Sequence, residues 1–506
     1  MADDEDPKPG LGTAVVGLNQ VNTVAPQCDP RDPDFARWFD TGKDAQGIAM
    51  PPVRKGNEVI ALVDGRETFD SMVAAIKTAT GGAGSGHFIY LLAWILDVDF
   101  DVAPGTTMRS LLTKASSDGV EIRALLWDQA GTVNTKQVAF IDGLANGAAV
   151  LDNRTLNLGS HHQKILVVNG NQGLMTFCGG VDLNPDRINH VSKQPGSPMH
   201  DVHCRIRGPA AWDLLRVFVQ RWKDHPDVTK KGSPKRDILG GGIPEPTADG
   251  TEGNCFVQVG RTFGNGKKHA GISGAGPGTQ GYSFLNSGNS GEQTARQIIK
   301  KAIQAAQKFI YMEDQYLISM EASTLLRDQL PKIKELVILI PHSSISDLPG
   351  VWKRRKAFID NLTSTAEKKK VTICYLNPKG QTPDKKKVDP ASNHTYVHAK
   401  IYVMDDKFAI IGSANCNQRG WSHDSEVVAG IFDQSKDSPC TLHVAHKLRM
   451  KLWAEHLGLK EKDVFDAVGN AFLWALGTGK VVPYDQNADK DGVSLAPPSA
   501  VDPDGS

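Results

Sequence analysis

The stretch His398–Asp405 (HAKIYVMD) is followed, after a short gap, by the small-residue turn Gly412–Asn415 (GSAN). A similar stretch, His162–Asn169 (HQKILVVN), precedes the paired glycines Gly179 and Gly180. In each stretch a histidine and a lysine stand two residues apart on an apolar, strand-like run, so both side chains point to the same face of the strand. The chain therefore carries one chemical unit twice.

The repeat extends well beyond these stretches. Each copy has, in the same order, a helical pattern, an apolar strand pattern and a further buried-strand pattern: 69–79, 88–92 and 122–127 in the first copy, and 294–306, 309–312 and 336–340 in the second. Buried strands that alternate with helices are typical of sheets covered on both faces. We therefore predict an α/β fold of two tandem pseudo-symmetric halves, each a mostly parallel mixed sheet flanked by helices, with the active site at their interface.

These patterns divide the chain into five segments. We expect an irregular N-terminal arm, a first half, a linker and loop region rich in Gly, Pro and Ser, a second half and an irregular C-terminal tail, at 1–52, 53–229, 230–290, 291–484 and 485–506. The linker contains one strand-like island, 255–259, which we expect to join the second half.

Composition excludes several classes of protein. The 506 residues include Lys+Arg 57 and Asp+Glu 57, and this balance argues against a protein that binds nucleic acid through a basic excess. The longest apolar run, 88–96, is far shorter than the roughly 20 residues that cross a bilayer, and no signal peptide is visible. We expect a cytoplasmic protein or one secreted by a route that needs no signal. Seven cysteines without a C-x-x-C pair disfavour a disulfide scaffold and a zinc knuckle.

Two histidine–lysine units that face each other are suited to phosphodiester cleavage. One neutral imidazole can attack phosphorus and form a phosphohistidine, while the other, protonated, gives its proton to the leaving oxygen. The two ammonium groups stabilise charge on the nonbridging oxygens. This scheme requires no metal and no cofactor.

The pattern H-x-K-x4-D in His398, Lys400 and Asp405, with its GSAN turn, resembles the signature of the phospholipase D superfamily. The flanking sequences GGVDL, HDVH, EDQY and NQR, at 179–183, 200–203, 313–316 and 417–419, are similar to the eukaryotic-type lipid-cleaving branch, which includes bacterial members. The resemblance implies the phospholipase D fold. It also implies hydrolysis of the head-group phosphodiester of glycerophospholipids to phosphatidic acid through a phosphohistidine, with transphosphatidylation when an alcohol replaces water.

By position in the family pattern, His162 is the nucleophile and His398 the general acid. The resemblance also implies that Glu426 lies behind His162 and Asp201 behind His398, each orienting its imidazole. Phosphate binding is assigned to Lys164, Lys400, Ser413 and Asn415, and a structural role to Gly179, Gly180, Gly412, Asp405 and Asn169. Asn169 stands where the pattern has aspartate, and Asp182 stands where asparagine often follows the glycines, so Asp182 is not assigned to phosphate.

We interpret His200 and His203 as outward-facing imidazoles that flank an inward Asp201 on a strand, and not as metal ligands. The expected partner is a phospholipid substrate at a membrane surface, contacted peripherally, and two motifs in one chain make a monomer sufficient. Basic clusters at 353–356, 368–370 and 385–387 are solvated faces by default, but they could guide an anionic membrane to the site.

The sequence leaves two other functions open. The first is a phosphodiesterase or transferase of the same superfamily that acts on nucleic acid or a cardiolipin-type lipid. The second is an inert homologue that only binds phosphate, which the replacement at Asn169 favours slightly. An acidic start without a signal is compatible with a bacterial effector delivered by a contact-dependent secretion machine, and equally with a resident cytosolic enzyme.

Overall fold

The computed structural model describes residues 35–81, 86–128, 134–155, 159–188, 199–230, 233, 235, 237–264, 282–285, 291–342, 351–377, 394–433 and 443–486. The strands are β1 (Arg54–Val63), β2 (Phe88–Ala93), β3 (Asp101–Ala103), β4 (Thr106–Thr107), β5 (Glu121–Trp127), β6 (Gly147–Asp152), β7 (Ile165–Gly170), β8 (Gly173–Gly179), β9 (Met199–His200), β10 (Val202–Arg207), β11 (Cys255–Gly264), β12 (Gly291–Gln293), β13 (Phe309–Asp314), β14 (Glu335–Leu339), β15 (Val371–Leu376), β16 (Tyr396–Val397), β17 (Lys400–Met404), β18 (Phe408–Gly412), β19 (Glu426–Asp433) and β20 (Val481–Pro483).

The α-helices are α1 (Asp64–Ala79), α2 (Met108–Ser117), α3 (Asn134–Asp142), α4 (Pro209–Lys223), α5 (Pro226–Thr229), α6 (Thr294–Ala305), α7 (Met320–Gln329), α8 (Val351–Leu362), α9 (Gln418–Ser422), α10 (Val444–Leu457), α11 (Ala467–Asn470) and α12 (Phe472–Ala475). Short 3-10 helices lie at Phe35–Trp38, Pro185–Ile188, Leu239–Gly242, Ala366–Lys370 and Glu461–Val464.

The helices form where apolar residues recur at helical spacing. In α6, for example, Ala295, Ile298, Ile299, Ala302 and Ile303 are buried, at positions that share one face of a 3.6-residue period. The predicted helix at 294–306 is thus confirmed. The helix predicted at 69–79 is also present, but it begins earlier, at Asp64.

One continuous sheet runs through both halves in the described part of the chain. Outward from its centre, the first half has the order β1-β10-β8-β7-β2-β5-β6, and the second repeats it as β11-β19-β18-β17-β13-β14-β15, with β20 at the edge. β1 and β11 pair antiparallel at the centre, and β11 also pairs with β19. This mirrored order places corresponding strands of the two halves symmetrically about the central pair.

The predicted α/β class with tandem halves is confirmed. Within the large sheet, however, parallel pairing is limited to the runs β2-β5-β6 and β13-β14-β15, and the more central pairs are antiparallel. The prediction of a mostly parallel sheet thus applies only to these outer runs. Two-sided burial, which the apolar runs do indicate, is reached here by helices on both faces of a mixed sheet.

Part of the predicted irregular N-terminal arm packs firmly on the second half. Trp38 is fully buried and stacks on Phe408, with ring centroids 5.4 Å apart. The side-chain amide of Gln258 donates to the backbone oxygens of Asp40 and Pro51 at 2.6 and 2.7 Å. This segment therefore contributes to the core although it lacks regular strands.

The two halves also share one hydrophobic core. A single cluster of buried side chains includes Val59 and Phe218 from the first half and Val257, Val427 and Trp453 from the second. Helix α4 contacts β11 and helix α10 contacts β1, so each helix reaches across the centre of the sheet. This shared packing fixes the relative position of the two histidine–lysine units.

Candidate active site

The two motif histidines meet where the halves join. The ring centroids of His162 and His398 lie 6.4 Å apart. The backbone N–H of His162 donates to Ser425 O at 3.0 Å, and that of His398 donates to His200 O at 2.7 Å. Each histidine is therefore anchored through its main chain to the opposite half.

A carboxylate from the opposite half contacts each imidazole. Oε1 of Glu426, at the start of β19, lies 2.9 Å from Nδ1 of His162. Oδ2 of Asp201, just before β10, lies 2.7 Å from Nδ1 of His398. All four side chains sit where β7, β17 and the starts of β10 and β19 converge, so the site is assembled reciprocally from both halves.

The surroundings of His162 select one tautomer. Its Nδ1 also lies 3.1 Å from the carbonyl oxygen of Ser413. A carbonyl oxygen can only accept a hydrogen bond, so Nδ1 carries the hydrogen and Nε2 of the neutral ring has a free electron pair. Burial lowers the pKa of His162 well below its ordinary value, and the nearby Lys164 and Lys400 lower it further. His162 is therefore held as a neutral imidazole.

His398 and Asp201 form a tightly coupled pair. Burial lowers the pKa of His398, as do the neighbouring cations Lys400 and Arg187. Burial raises the pKa of Asp201 to about 6, although Lys400 and Arg187 oppose this rise. An anion bound between the two histidines would attract a proton to His398 and so favour its imidazolium form.

Two buried ammonium groups complete the centre. Lys164 Nζ donates to His162 O at 2.9 Å, lies 3.1 Å from Asp182 Oδ2 and is 5.9 Å from the ring centroid of Trp94. Lys400 Nζ donates to Gln315 Oε1 at 2.9 Å and to His398 O. Burial, reinforced by Lys164 and Arg187, lowers the pKa of Lys400 to about 7. These buried cations offer a positively charged place for a phosphate group.

The turns after β8 and β18 differ between the halves. A Cβ atom on Gly180 would lie 2.0 Å from Asp201 Oδ1, so the carboxylate occupies the space of a side chain. In the second half, the Ser413 hydroxyl donates to Glu426 Oε2. Asn415 is buried, and its Oδ1 has no hydrogen-bond partner among the described residues. Of the turn residues assigned to phosphate, Ser413 thus contacts Glu426, whereas Asn415 keeps an unused oxygen.

Asp405 and Asn169 lie at the strand ends away from the histidines. The Asp405 carboxylate accepts the backbone N–H groups of Gln307, Lys308 and Phe309 at 2.8, 2.7 and 2.9 Å. The half-buried Asn169 instead donates its side-chain amide to Gly86 O at 3.1 Å. Both side chains therefore bind the backbone at the start of a neighbouring strand. Asp405 accepts three hydrogen bonds there, whereas Asn169 donates one.

The interpretation of His200 and His203 as outward-facing was wrong. Both are about 1% exposed, and His200 lies between Asp64 Oδ1 and Glu313 Oε2, each at 2.8 Å. Strand alternation misled here because His203, on β10, belongs to the large sheet, whose two faces are both covered, whereas His200 lies on the separate short strand β9, which pairs with β16. Asp64 carries no motif signal, whereas Glu313 stands in the EDQY sequence and could have been singled out there.

Arg187 is a further cation that the sequence did not single out. It is 5% exposed, its nearest approach to Asp182 Oδ2 is 3.6 Å, and its Nε has no hydrogen-bond partner among the described residues. It belongs to the buried charges that act on His398 and Asp201.

The chain is similar to known proteins in both sequence and fold. The family model for phospholipase D matches residues 187–342 and 364–471, together just over half of the chain. Phospholipase D alpha 2 of Arabidopsis thaliana is 25% identical over 518 residues, covering 75% of this chain and 63% of that protein. Phospholipase D alpha 1 of Cynara cardunculus is 26% identical over 522 residues, covering 76% of this chain and 63% of that protein. The chain thus spans less than two thirds of the length of these relatives.

A solved structure has a similar fold. Phosphatidylserine synthase of Haemophilus influenzae Rd KW20 superposes with a TM-score of 0.52 at 13% identity, over 80% of this chain and 88% of that chain. At this identity the likeness concerns the fold alone.

Proposed function

The chain belongs to the phospholipase D family, and from this premise we propose that it hydrolyses the head-group phosphodiester of glycerophospholipids through a covalent phosphohistidine. One observation carries the proposal: two imidazoles 6.4 Å apart, each held at Nδ1 by a carboxylate of the opposite half. A phosphorus atom between the rings could be attacked from one side while the leaving oxygen departs on the other. Two buried lysines flank that position.

In the first step, Nε2 of His162 attacks phosphorus and the bond from phosphorus to the head-group oxygen breaks. His398 gives its proton to that oxygen, so the head group leaves as an alcohol and not as an alkoxide. The phosphohistidine carries a positive charge on its ring, which Glu426 and the Ser413 carbonyl stabilise at Nδ1–H. Lys164 and Lys400 stabilise the nonbridging oxygens, a contribution worth about 3–4 kcal/mol per well-placed donor in other enzymes.

In the second step, the now neutral His398 accepts a proton from water. The water oxygen attacks phosphorus, the bond to His162 Nε2 breaks, and phosphatidic acid forms. An alcohol in place of water gives a new phospholipid by the same step, which is transphosphatidylation. General acid and base catalysis by one side chain typically accounts for about 10²- to 10⁴-fold of the rate.

We also propose peripheral contact with a lipid surface, through fewer basic groups than the sequence suggested. Arg355 is fully buried and donates to the carbonyl oxygens of Pro341 and Gln315. Lys356 pairs with Asp360 at 2.7 Å, whereas Lys369 is exposed.

The basic run 385–387 lies outside the described residues. Its replacement by glutamine is expected to weaken binding to anionic vesicles, and unchanged binding would remove that run from the proposal. In the described part of the chain, no helix is long and apolar enough to cross a membrane.

The test is release of choline or ethanolamine from phospholipid vesicles in the presence of EDTA, with His162→Ala and His398→Ala as controls. We expect release that EDTA does not affect and that each substitution abolishes. Quenching in alkaline detergent, in which the phosphorus–nitrogen bond is stable, should trap a labelled phosphoenzyme with the intact His162 and none with His162→Ala. Cleavage of single-stranded DNA alone would favour the nucleic-acid alternative, and phosphate binding without turnover would favour an inert homologue.

A further inference from the structure

We propose that Asp64 is a positioning residue for the general acid His398, acting through the backbone of Asp201 and through His200. This inference rests on the proposed function and adds to it a residue that no motif marks. The supporting observations are the backbone of Asp64, its hydrogen bonds to Asp201 and the charges on either side of His200.

Asp64 has an unusual backbone conformation. It follows β1 directly and begins α1 with φ 63°, in the left-handed region. This conformation is strained for a residue other than glycine, and a short polar side chain can offset the strain by local hydrogen bonds. The Asp64 side chain is buried. Strain of this kind persists where surrounding contacts hold it in place.

Asp64 forms hydrogen bonds with both the backbone oxygen and the backbone N–H of Asp201. The N–H of Asp64 donates to Asp201 O at 2.8 Å, and the N–H of Asp201 donates to Asp64 Oδ1 at 3.1 Å. Asp201 Oδ1 accepts the N–H of Val202 at 2.8 Å, which leaves Oδ2 directed at His398 Nδ1. A shift of the Asp201 main chain would therefore move the carboxylate that orients His398.

His200 connects Asp64 to the second half. Its Nδ1 and Nε2 each face a carboxylate at 2.8 Å, Asp64 Oδ1 on one side and Glu313 Oε2 on the other. Although burial opposes it, these two carboxylates raise the pKa of His200 well above its ordinary value. The imidazolium thus ties β13 to Asp64, and His200 O also accepts the N–H of His398 at 2.7 Å. Asp64, His200 and Glu313 therefore form one hydrogen-bonded chain that is linked to the backbone of the general acid.

The same side chains include a geometric candidate for a metal site. Ligand atoms of His200, Glu313 and His456 lie within 4.8 Å of one another. The two imidazoles, however, bond to different oxygens of Glu313, His200 to Oε2 and His456 to Oε1 at 3.2 Å. Both nitrogens of His200 already have carboxylate partners. We therefore interpret these side chains as a hydrogen-bonded cluster and not as a set of metal ligands.

The decisive variant is Asp64→Asn, because asparagine tolerates a positive φ and keeps an acceptor for Asp201 while losing the charge that holds His200. Two substrates separate the effects. The phospholipid that the wild-type protein cleaves has a poor leaving alcohol and needs a well-placed general acid. Phosphatidyl-p-nitrophenol in mixed micelles has a good leaving group, so its first turnover needs His162 but hardly any help from His398.

We expect Asp64→Asn to lower turnover of the phospholipid at least tenfold, while the first-turnover rate of p-nitrophenol release stays within threefold of wild type. Later turnovers of the p-nitrophenyl substrate should slow, because His398 also activates water. Asp70→Asn, an exposed position of the same helix, is the matched control and should leave both rates unchanged. Equal losses on both substrates, or no loss on either, would overturn the inference.

Two further measurements keep the test decisive. If Asp64→Asn does not fold, Asp64→Gly relieves the left-handed backbone and removes the carboxylate, and the same selective loss is expected. Stoichiometric zinc in the purified wild-type protein that is absent from His200→Gln would also overturn the inference, because His200 would then be a metal ligand. Absence of any p-nitrophenol release by the wild type would instead contradict the proposed function itself.

Discussion

Asp182 and Asn415 occupy equivalent positions, three residues after Gly179 and Gly412, yet they act differently on the lysines. The Asp182 carboxylate lies 3.1 Å from Lys164 Nζ, whereas Asn415 brings no charge. A bound phosphate must compete with Asp182 for Lys164. The first half is therefore expected to bind the phosphate anion less strongly than the second.

This asymmetry predicts opposite effects of two exchanges. Asp182→Asn removes a negative charge beside the anion and should lower the inhibition constant of orthovanadate by about threefold to tenfold, roughly 0.7–1.4 kcal/mol. Asn415→Asp adds such a charge and should raise the constant at least as much. Inhibition of phospholipid cleavage measures both. Equal constants in the two variants would show that these turns do not face the anion.

The charge state of Lys400 predicts the pH dependence of the site. Its pKa is lowered to about 7 by burial first and then by Lys164 and Arg187, so the ammonium is lost as pH rises through that value. Burial raises the pKa of Asp201 to about 6, so the carboxylate that supports His398 is lost as pH falls through 6. Because kcat/KM reports the free enzyme, it should fall on both sides of this range.

The basic side of the kcat profile should lie at higher pH than that of kcat/KM, since a bound anion favours the charged lysine. Initial rates from pH 5 to 9, at low and at saturating substrate, measure both profiles. A kcat/KM that stays constant to pH 9 would contradict the assignment of Lys400 to phosphate.

At the scale of elements, the turn after β8 lies so close to the residue before β10 that position 180 has no room for a side chain. Gly180→Ala would place a Cβ atom 2.0 Å from Asp201 Oδ1 and displace the carboxylate from His398. We expect phospholipid turnover to fall at least a hundredfold with the far-ultraviolet circular dichroism unchanged. Gly242→Ala, whose Cβ would meet nothing within 4 Å, is the matched control. Activity retained in Gly180→Ala would show that this close approach does not position Asp201.

Asp405, the motif aspartate, stabilises the start of β13. Asparagine in its place can adopt the same backbone conformation, φ 56°, but accepts the three hydrogen bonds from the start of β13 more weakly. We expect the free energy of unfolding to fall by about 1–3 kcal/mol, by the usual size of charge-assisted bonds. Asn169→Ala, which removes one bond, should cost less than about 1 kcal/mol. Urea denaturation compares the two, and a larger loss at Asn169 would reverse this ranking.

The elements also show what the sequence could predict. Local sequence predicts the strands at 88–93 and 309–314 and the helix at 294–305, because apolar runs and the spacing of apolar residues are local properties of the chain. The histidine and lysine spacings are local as well. Strand direction is not, since an apolar run is the same whether its neighbour is parallel or antiparallel. The contacts of Asp64 with Asp201 and His200 depend on residues 136 to 137 positions apart in the chain, and no periodicity reveals them.

At the scale of the whole molecule, the site belongs to neither half. Each imidazole takes its carboxylate and its main-chain anchor from the other half, and the central β1–β11 pair with the shared core sets their distance. A single half would have a neutral histidine and a lysine without the groups that orient them. The duplicated sequence thus builds one centre, and not two.

Division of the chain in the exposed stretch 247–249 tests this directly. Fragments 1–247 and 248–506 should each be inactive when expressed alone, because each lacks one histidine and one orienting carboxylate. Co-expressed, they can re-form the β1–β11 pair and the common core, and we expect at least a tenth of the intact activity. The control carries His162→Ala in the first fragment and should stay inactive when both are present. Turnover by either fragment alone, in a monomeric fraction from size-exclusion chromatography, would mean that one histidine–lysine unit suffices, and the reciprocal pairing would then serve folding and not catalysis.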